Sequence, residues 1–378
     1  LKDVVLNAVK RAKLQRAESD SRPRKAQLND EELVKLLEAS QARICVIGVG
    51  GGGCNTIERM SEVGIHGAQT MAVNTDAQDL LSCTADKKLL IGQQLTRGLG
   101  SGSNPTVGEN AARESIEELA DELEKTDLVF ITCGMGGGTG TGAAPVLAQL
   151  AKEELNALTI AVVTLPFMVE GKKRIENAML GLDKMRKFAD TIIVIPNDKI
   201  LEIAPDLPLN SAFKVADEVL TNAVKGITEM VTKPGLINLD FADLRTILER
   251  GGAAMIGLGE SQSEHASEAR ALEAVENALT SPLLDIDISE ASRALINVVG
   301  GTDMTLREAE MIVETVSAKI HPSAHIIWGA MIDEKLNKKK IQAMVVIAGG
   351  RFPYLDGVKE MSHADGNTEV DLGIDFSG

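Results

Sequence analysis

Apolar residues fall into two rhythms that alternate along the chain. Short continuous runs rich in Val, Ile and Leu occur at Arg43–Gly48, Thr70–Asn74, Lys88–Ile91, Leu128–Cys133, Leu158–Leu165 and Thr191–Pro196. Between them lie longer stretches with apolar residues at helical spacing. An unbroken apolar strand offers no polar face to water, so such strands belong in a parallel sheet with helices on both sides. The pattern predicts an α/β fold with a doubly wound parallel sheet. A long helix is expected next, over Ser211–Thr232, where Phe213, Val215, Ala216, Val219, Leu220, Ala223, Val224, Ile227 and Met230 form a broad stripe. A stripe that wide calls for cover on two sides, which places the helix between two domains. Beyond the break "KPGLINLD", strands are predicted near Ala254–Leu258, Ala294–Val299, His325–Ile332 and Ile341–Ala348, with helices between them. The expected organisation is a helical extension at 1–41, with one helix starting near Asn29, then a first domain at 42–232 that includes the long helix. A smaller α+β domain at 233–350 and a flexible polar tail at 351–378 follow.

Composition narrows the function classes. With 378 residues, 44% of them apolar, the chain is long enough for two cores. No apolar run approaches the roughly 18 residues of a membrane span, and the charged first residues do not read as a secretory signal. A net charge of −16, from 39 basic and 55 acidic residues, argues against a face for duplex nucleic acid. One Trp, one Tyr and seven Phe leave few platforms for stacking bases of a single strand. Nucleic acid is therefore not an expected partner, and neither is direct membrane insertion. Cys45, Cys54, Cys83 and Cys133 form no C-x-x-C pair and read as small apolar residues of a reducing compartment. His321 and His325 are separated by Pro322, which prevents a shared helix face, so no metal held by protein ligands is expected.

The candidate chemistry lies in glycine. The first strand runs into "GVGGGGCN", where Gly48, Gly50 and Gly53 satisfy G-x-G-x-x-G, and Asp76 follows the second strand. That is a dinucleotide fingerprint in its usual context. A second loop, "TCGMGGGTGTGAAP" from Thr132 to Pro145, leaves another buried strand and opens another helix, expected near Ala143–Glu154. Successive N–H groups without Cβ atoms, backed by a helix N-terminus, hold anions well. Thr139 and Thr141 add hydroxyl donors. A third stretch, "LTRGLGSGSNP", adds bare backbone and Arg97. No G-x-x-x-x-G-K-[ST] is present, so the chain is not a P-loop protein. Two such loops on neighbouring strands would grip two parts of one polyphosphate. An NAD-dependent oxidoreductase stays open as the alternative. It lacks an evident hydride site, because the only tyrosine is Tyr354 in the tail and the histidines lie outside the glycine loops.

"GGGTGTG", together with "NTDAQ", "LTRGLG", "PNDK" and "NLDFADLR", resembles the tubulin/FtsZ superfamily, and its FtsZ branch in particular, across roughly residues 42 to 350. The extension and tail resemble archaeal more than bacterial members. The resemblance implies a GTP-binding, GTP-hydrolysing cytoskeletal protein of the cell-division ring in the cytoplasm, polymerising head to tail. It implies that Gly51, Gly52, Gly53, Cys54 and Asn55 of the first loop meet the nucleotide. Gly138, Thr139 and Gly140 would hold phosphates, with Thr141 and Gly142 assisting. "NTDAQ" and "LTRGLGSG" correspond to loops near the γ-phosphate. Glu170 and Arg174 would contact the ribose, Phe213 would stack on the base, and Asn197 would complete the base pocket. Asp217 lies on the helix face of Phe213. Its carboxylate could accept from guanine N1–H and the 2-amino group together, a donor pair that adenine lacks. Asn238, Asp240 and Asp243 are the implied catalytic residues, delivered to the GTP site of the next subunit; read alone, the two acids are more simply capping and macrodipole residues of a helix start. Mg²⁺ is expected on the phosphates and water. "EVDLGIDF", Glu369 to Phe376, resembles a peptide that docks on a membrane-tethering adaptor. A protein that binds GTP without hydrolysing it is the remaining alternative.

Overall fold

The computed structural model describes residues 42–349 apart from short stretches at 204–205, 207, 234, 238, 262–267, 285–286, 335 and 337–338. The expected helix after Asn29, the tail peptide Glu369–Phe376 and Asn238 lie outside the described residues. In chain order the elements are β1 (Ile44–Val49), α1 (Gly50–Val63), β2 (Ala68–Asn74), α2 (Ala77–Ser82), β3 (Lys87–Leu90), α3 (Gln93–Thr96), α4 (Pro105–Glu114), α5 (Ile116–Leu123), β4 (Leu128–Gly134), α6 (Thr139–Gln149), β5 (Leu158–Leu165), α7 (Lys172–Phe188), β6 (Thr191–Pro196), α8 (Asn197–Ile203), α9 (Leu209–Thr232), α10 (Phe241–Leu248), β7 (Gly252–Glu260), α11 (Glu268–Leu279), β8 (Arg293–Gly300), α12 (Leu306–Ser317), β9 (His325–Ile332) and β10 (Ile341–Ala348). Every strand expected from the apolar runs is present.

The strands form one sheet in the order β3-β2-β1-β4-β5-β6-β7-β10-β8-β9. From β3 to β7 all neighbours are parallel; β10 runs antiparallel between β7 and β8, and β9 is parallel to β8. The change falls where the apolar rhythm changes, beyond the long helix. Alternate residues of β1 serve opposite faces, as the two-residue period of a strand requires. Cys45, Ile47 and Val49 join a core with α4, α5, α6 and α7, while Ile44 and Val46 join one with α1, α9 and α10. Two buried faces explain why the strands carry no polar alternation.

Helix α9 has 24 residues and so extends about 36 Å at 1.5 Å per residue. Its stripe of Ala216, Val219, Leu220, Ala223, Val224, Ile227 and Met230 packs in the same cluster as Ile44, Phe130 and Ile160 of the early strands and Leu295, Met344 and Val346 of the late ones. Near its first turns lie Phe213 and Asp217. At its last residue the Thr232 hydroxyl reaches the His66 carbonyl, just before β2 begins. The helix therefore runs from the C-terminal edge of the parallel strands to their N-terminal edge. The next helix stays at that second edge: the Thr191 hydroxyl, where β6 starts, donates to the Leu248 carbonyl at the end of α10 (2.5 Å).

One boundary differs from expectation. Helix α6 begins at Thr139, four residues before the expected start, and its last turn widens into a π-helical turn at Leu150–Glu154. Glycines score poorly as helix formers. Here packing decides: a Cβ on Gly142 would come within 1.9 Å of the Pro105 carbonyl oxygen, and one on Gly108 within 2.4 Å of that of Gly138. Only glycine lets α4 and α6 approach so closely.

Candidate nucleotide site

A cavity of about 630 Å³ opens at the C-terminal edge of the parallel strands, where β1, β2, β4, β5 and β6 release their loops. Ligands of open α/β sheets bind at this edge. Helix α1 starts directly from β1, and Gly50, Gly51 and Gly52 of its first turn line the cavity. Across from it, α6 starts at Thr139, with Gly137, Gly138 and Gly140 also lining. Neither helix has a side-chain N-cap. Their first-turn amides and the positive ends of both helices thus converge on one space. The two loops touch, since a Cβ on Gly50 would sit 2.9 Å from the Gly140 nitrogen. Gly100, Ser101, Gly102 and Ser103 form a third wall. Arg97 is exposed and does not line the cavity.

Four of the expected contacts do not face this space. Gly53 packs α1 onto the sheet, where a Cβ would meet the Thr132 carbonyl oxygen at 2.6 Å. Cys54 is buried in the apolar cluster, its Sγ 3.8 Å from Asn74 Nδ2. Thr141 is turned inward: its hydroxyl oxygen accepts from the Gly136 N–H at 2.8 Å and braces the loop. Gly142 faces α4. A helix presents only part of each turn to a ligand, and these four occupy the other part. Asn55 does line the cavity. So does Asp76, the acid of the fingerprint, and so do Asn74, Asp79, Thr164 and Pro166, which were not singled out as site residues. The "NTDAQ" loop carried the signal for Asp76, and Asp79 follows it directly. Asp76 also caps α2, its Oδ1 accepting from the Gln78 and Asp79 amides at 2.9 and 3.2 Å.

The far end has different chemistry. Glu170 and Arg174 form an ion pair, and Glu170 Oε1 also accepts from the Phe167 N–H. Phe213 lines the cavity with 36% of its surface exposed and meets buried Phe167 edge to face, centroids 5.0 Å apart. Asn197 is only 4% exposed, and its Oδ1 has no hydrogen-bond partner. Asp217 lies one turn beyond Phe213. Burial pushes its carboxyl up to about 6, opposed by the Thr56 hydroxyl, which donates to Oδ1. A buried acceptor without a donor is costly. Asn197 Oδ1 has no donor and the Asp217 carboxylate has only the Thr56 hydroxyl, so a ligand that brings N–H groups suits both. Among the described residues Arg174 is the only Lys or Arg lining the cavity, against Asp76, Asp79, Glu170 and Asp217. An anion bound here rests on backbone amides rather than on lysines.

Asp240 and Asp243 do not line the cavity. Asp240 is the N-cap of α10, its Oδ1 accepting from the Asp243 N–H at 2.8 Å, and both acids are exposed. They lie between Thr232 and Leu248, both anchored at the N-terminal edge of the sheet. The length of α9 separates them from their own cavity. A smaller cavity of about 330 Å³ lies between α9 and strands β7, β8 and β10, with neither glycine loop in its wall.

Residues 43–205 match the model of the Tubulin/FtsZ family GTPase domain, and residues 252–351 that of the FtsZ family C-terminal domain. The cell division protein FtsZ 1 of Thermococcus kodakarensis is 60% identical over 325 residues, 86% of this chain and 85% of that one. The cell division protein FtsZ of Methanothermobacter thermautotrophicus is 55% identical over 347 residues, 91% and 90% of the two chains. Among solved structures, an empty FtsZ dimer of M. jannaschii superposes with a TM-score of 0.80 at 55% identity, covering 86% of this chain and 93% of that one. CetZ2 from Haloferax volcanii shares the fold, with a TM-score of 0.73 at 21% identity over 84% and 98% of the chains. The oxidoreductase alternative falls with these matches. With both domain models matched in order, and with relatives this similar over most of its length, the chain belongs to the FtsZ family of cell-division GTPases.

Proposed function

We propose that the chain binds GTP in the cavity between α1 and α6 and hydrolyses it at a site completed by the next copy in a head-to-tail filament. In this reading residues 42–232 hold the nucleotide and residues 233–350 carry the acids that act on a neighbour's nucleotide. The observation that carries it is the separation within one chain: the cavity opens at one edge of the sheet, and exposed Asp240 and Asp243 stand at the other. The contact needed is heterologous and does not close on itself, so repetition makes a filament. The M. jannaschii relative is described as a dimer, which favours self-association here.

The phosphate chain would lie on the first-turn amides of α1 and α6, with Thr139 as a hydroxyl donor. Guanine would reach the other end, giving N1–H and its 2-amino group to Asp217 and an N–H to Asn197, with Phe213 against the ring. Glu170 and Arg174 fit the ribose between them. The acids from the neighbouring copy would orient and polarise the attacking water; phosphoryl transfer is served mainly by such positioning and by charge stabilisation. For Mg²⁺, the described residues hold no group of three or more His, Cys, Asp or Glu side chains, while Asp76 and Asp79 line the cavity. That donor set would suit an ion held chiefly by phosphate oxygens and water, with Asp76 and Asp79 as acceptors for its bound water. When bound, the ion supplies neutralisation of phosphate charge.

Among the described residues no helix is long and apolar enough to cross a membrane. We place the protein at the division site in the cytoplasm, as the family implies, with residues 369–376 as the segment that engages a membrane-tethering adaptor. Phosphate release per mole of protein, measured with GTP and Mg²⁺ over a range of protein concentrations, tests the shared site. It should rise steeply above a threshold; a rate per mole that is flat down to high dilution would contradict it.

A further inference from the structure

Three hydroxyls meet at the glycine-rich end of the cavity. Thr139 Oγ1 lies 2.7 Å from Thr75 Oγ1 and 3.0 Å from Ser101 Oγ. They come from three separate segments: Thr75 follows β2, Ser101 lies between α3 and α4, and Thr139 opens α6. Thr75 is fully buried and does not line the cavity, whereas Thr139 and Ser101 do. Backbone straps reinforce the junction, with the Gly100 N–H and the Thr96 hydroxyl both donating to the Thr75 carbonyl at 3.1 and 3.3 Å. A Cβ on Gly138 would stand 2.2 Å from Ser101 Oγ, so glycine there is what admits the serine.

Counting protons sets the directions of these bonds. Each hydroxyl has one proton and two lone pairs. The Thr75 hydroxyl meets only Thr139, so its buried proton is satisfied when it donates there; stranding it would cost the full desolvation of a donor. Thr139 then has one lone pair and one proton left. Facing a neutral cavity, it can give that proton to Ser101. Facing an anionic oxygen, a charge-assisted bond is roughly twice as strong as one between neutral groups. The proton turns into the cavity, and Ser101 reverses to donate to Thr139.

We propose that Thr75 and Ser101 are positioning residues for the phosphate chain of the nucleotide. By donating to Thr139 Oγ1 they hold its single proton toward phosphate when phosphate is there. The inference rests on the reading of this cavity as the GTP site and adds to it two residues that act through a third. Thr75 gives the cleaner test because it cannot touch ligand itself.

Titration of the 378-residue chain with GTP and with guanosine separates phosphate-dependent from base-dependent binding. Thr75→Val keeps the shape and removes the hydroxyl; it should weaken GTP about tenfold and guanosine less than twofold. Thr75→Ser, which keeps the hydroxyl, should bind GTP within about twofold of the wild type. If Thr75→Val fails to fold, Ser101→Ala, at a partly exposed position, should show the same selective loss. An equal loss for GTP and guanosine, no loss at all, or failure of the serine variant to restore GTP binding overturns the proposal. A wild-type chain that binds guanosine and GTP equally well, or neither, contradicts the nucleotide reading instead.

Discussion

Asp217 sits where its charge works against the stability of its own fold, and the proposed guanine contact accounts for its presence there. Burial raises its carboxyl from 3.8 to about 6. Between those values the folded chain holds more protons than the unfolded one, so stability falls as pH rises through that window and stays lower above it. At about 1.36 kcal/mol per unit the cost approaches roughly 3 kcal/mol, less a discount for the part of the side chain that water reaches. Asp217→Asn should therefore raise the melting temperature of the nucleotide-free protein at pH 7.5. It should also weaken GTP by about 10- to 100-fold, the loss of charged hydrogen bonds. In the wild type, GTP affinity should decline as pH drops below about 6, because the protonated acid no longer accepts from both guanine donors. A variant that loses affinity without gaining apo stability, or a wild-type affinity flat from pH 7.5 to 5, would separate Asp217 from the base. That Asp217, Phe213 and Arg174 line one cavity could be read ahead from helical spacing and motif context. Cys54 and Thr141 turn away from the cavity for a physical reason. A motif fixes which residues sit near a turn, and only packing decides which of them turn inward. Gly53 was readable after all, since the third glycine of G-x-G-x-x-G serves helix–strand packing.

At the scale of elements, the two helices that begin at the cavity leave their first turns uncapped, while α10 begins with a capping acid. That contrast lets the two roles of the α10 acids be separated. Asp240 caps through its side chain, so Asp240→Ala should cost about 0.5–2 kcal/mol of stability as well as turnover. Asp243 contributes its backbone N–H to that bond. Asp243→Ala keeps the cap, so it should hold the melting temperature within about 0.5 kcal/mol while slowing GTP hydrolysis by at least an order of magnitude. Thermal melts paired with phosphate release decide it: near-normal hydrolysis by Asp243→Ala in a fully folded protein removes the catalytic role. All ten strands could be read from apolar runs because burial on both faces leaves so plain a signature. The start of α6 could not, since glycine propensity argues against a helix and the close approach of α4 that overrides it is a tertiary fact.

The whole molecule is polar in function because α9 spans the sheet. In the proposed reading the nucleotide lies near its first turns and the acids beyond its last, so neither end serves its own chain. Sequence order already suggested this distance, but not that one ten-stranded sheet would run continuously past the helix with β6 paired to β7. The arrangement makes two crippled chains complementary. Gly140→Val places a side chain against the Gly134 carbonyl oxygen, 2.8 Å from the position of its Cβ; it should lose GTP while keeping the α10 acids. Asp243→Ala should keep GTP and lose an acid. GTP hydrolysis by an equimolar mixture of the two, against each alone at the same total concentration, tests the shared site most directly. The account predicts that the mixture turns over GTP several times faster than the sum of the separate proteins; a mixture no more active than that sum, from two variants shown to co-assemble, would contradict it.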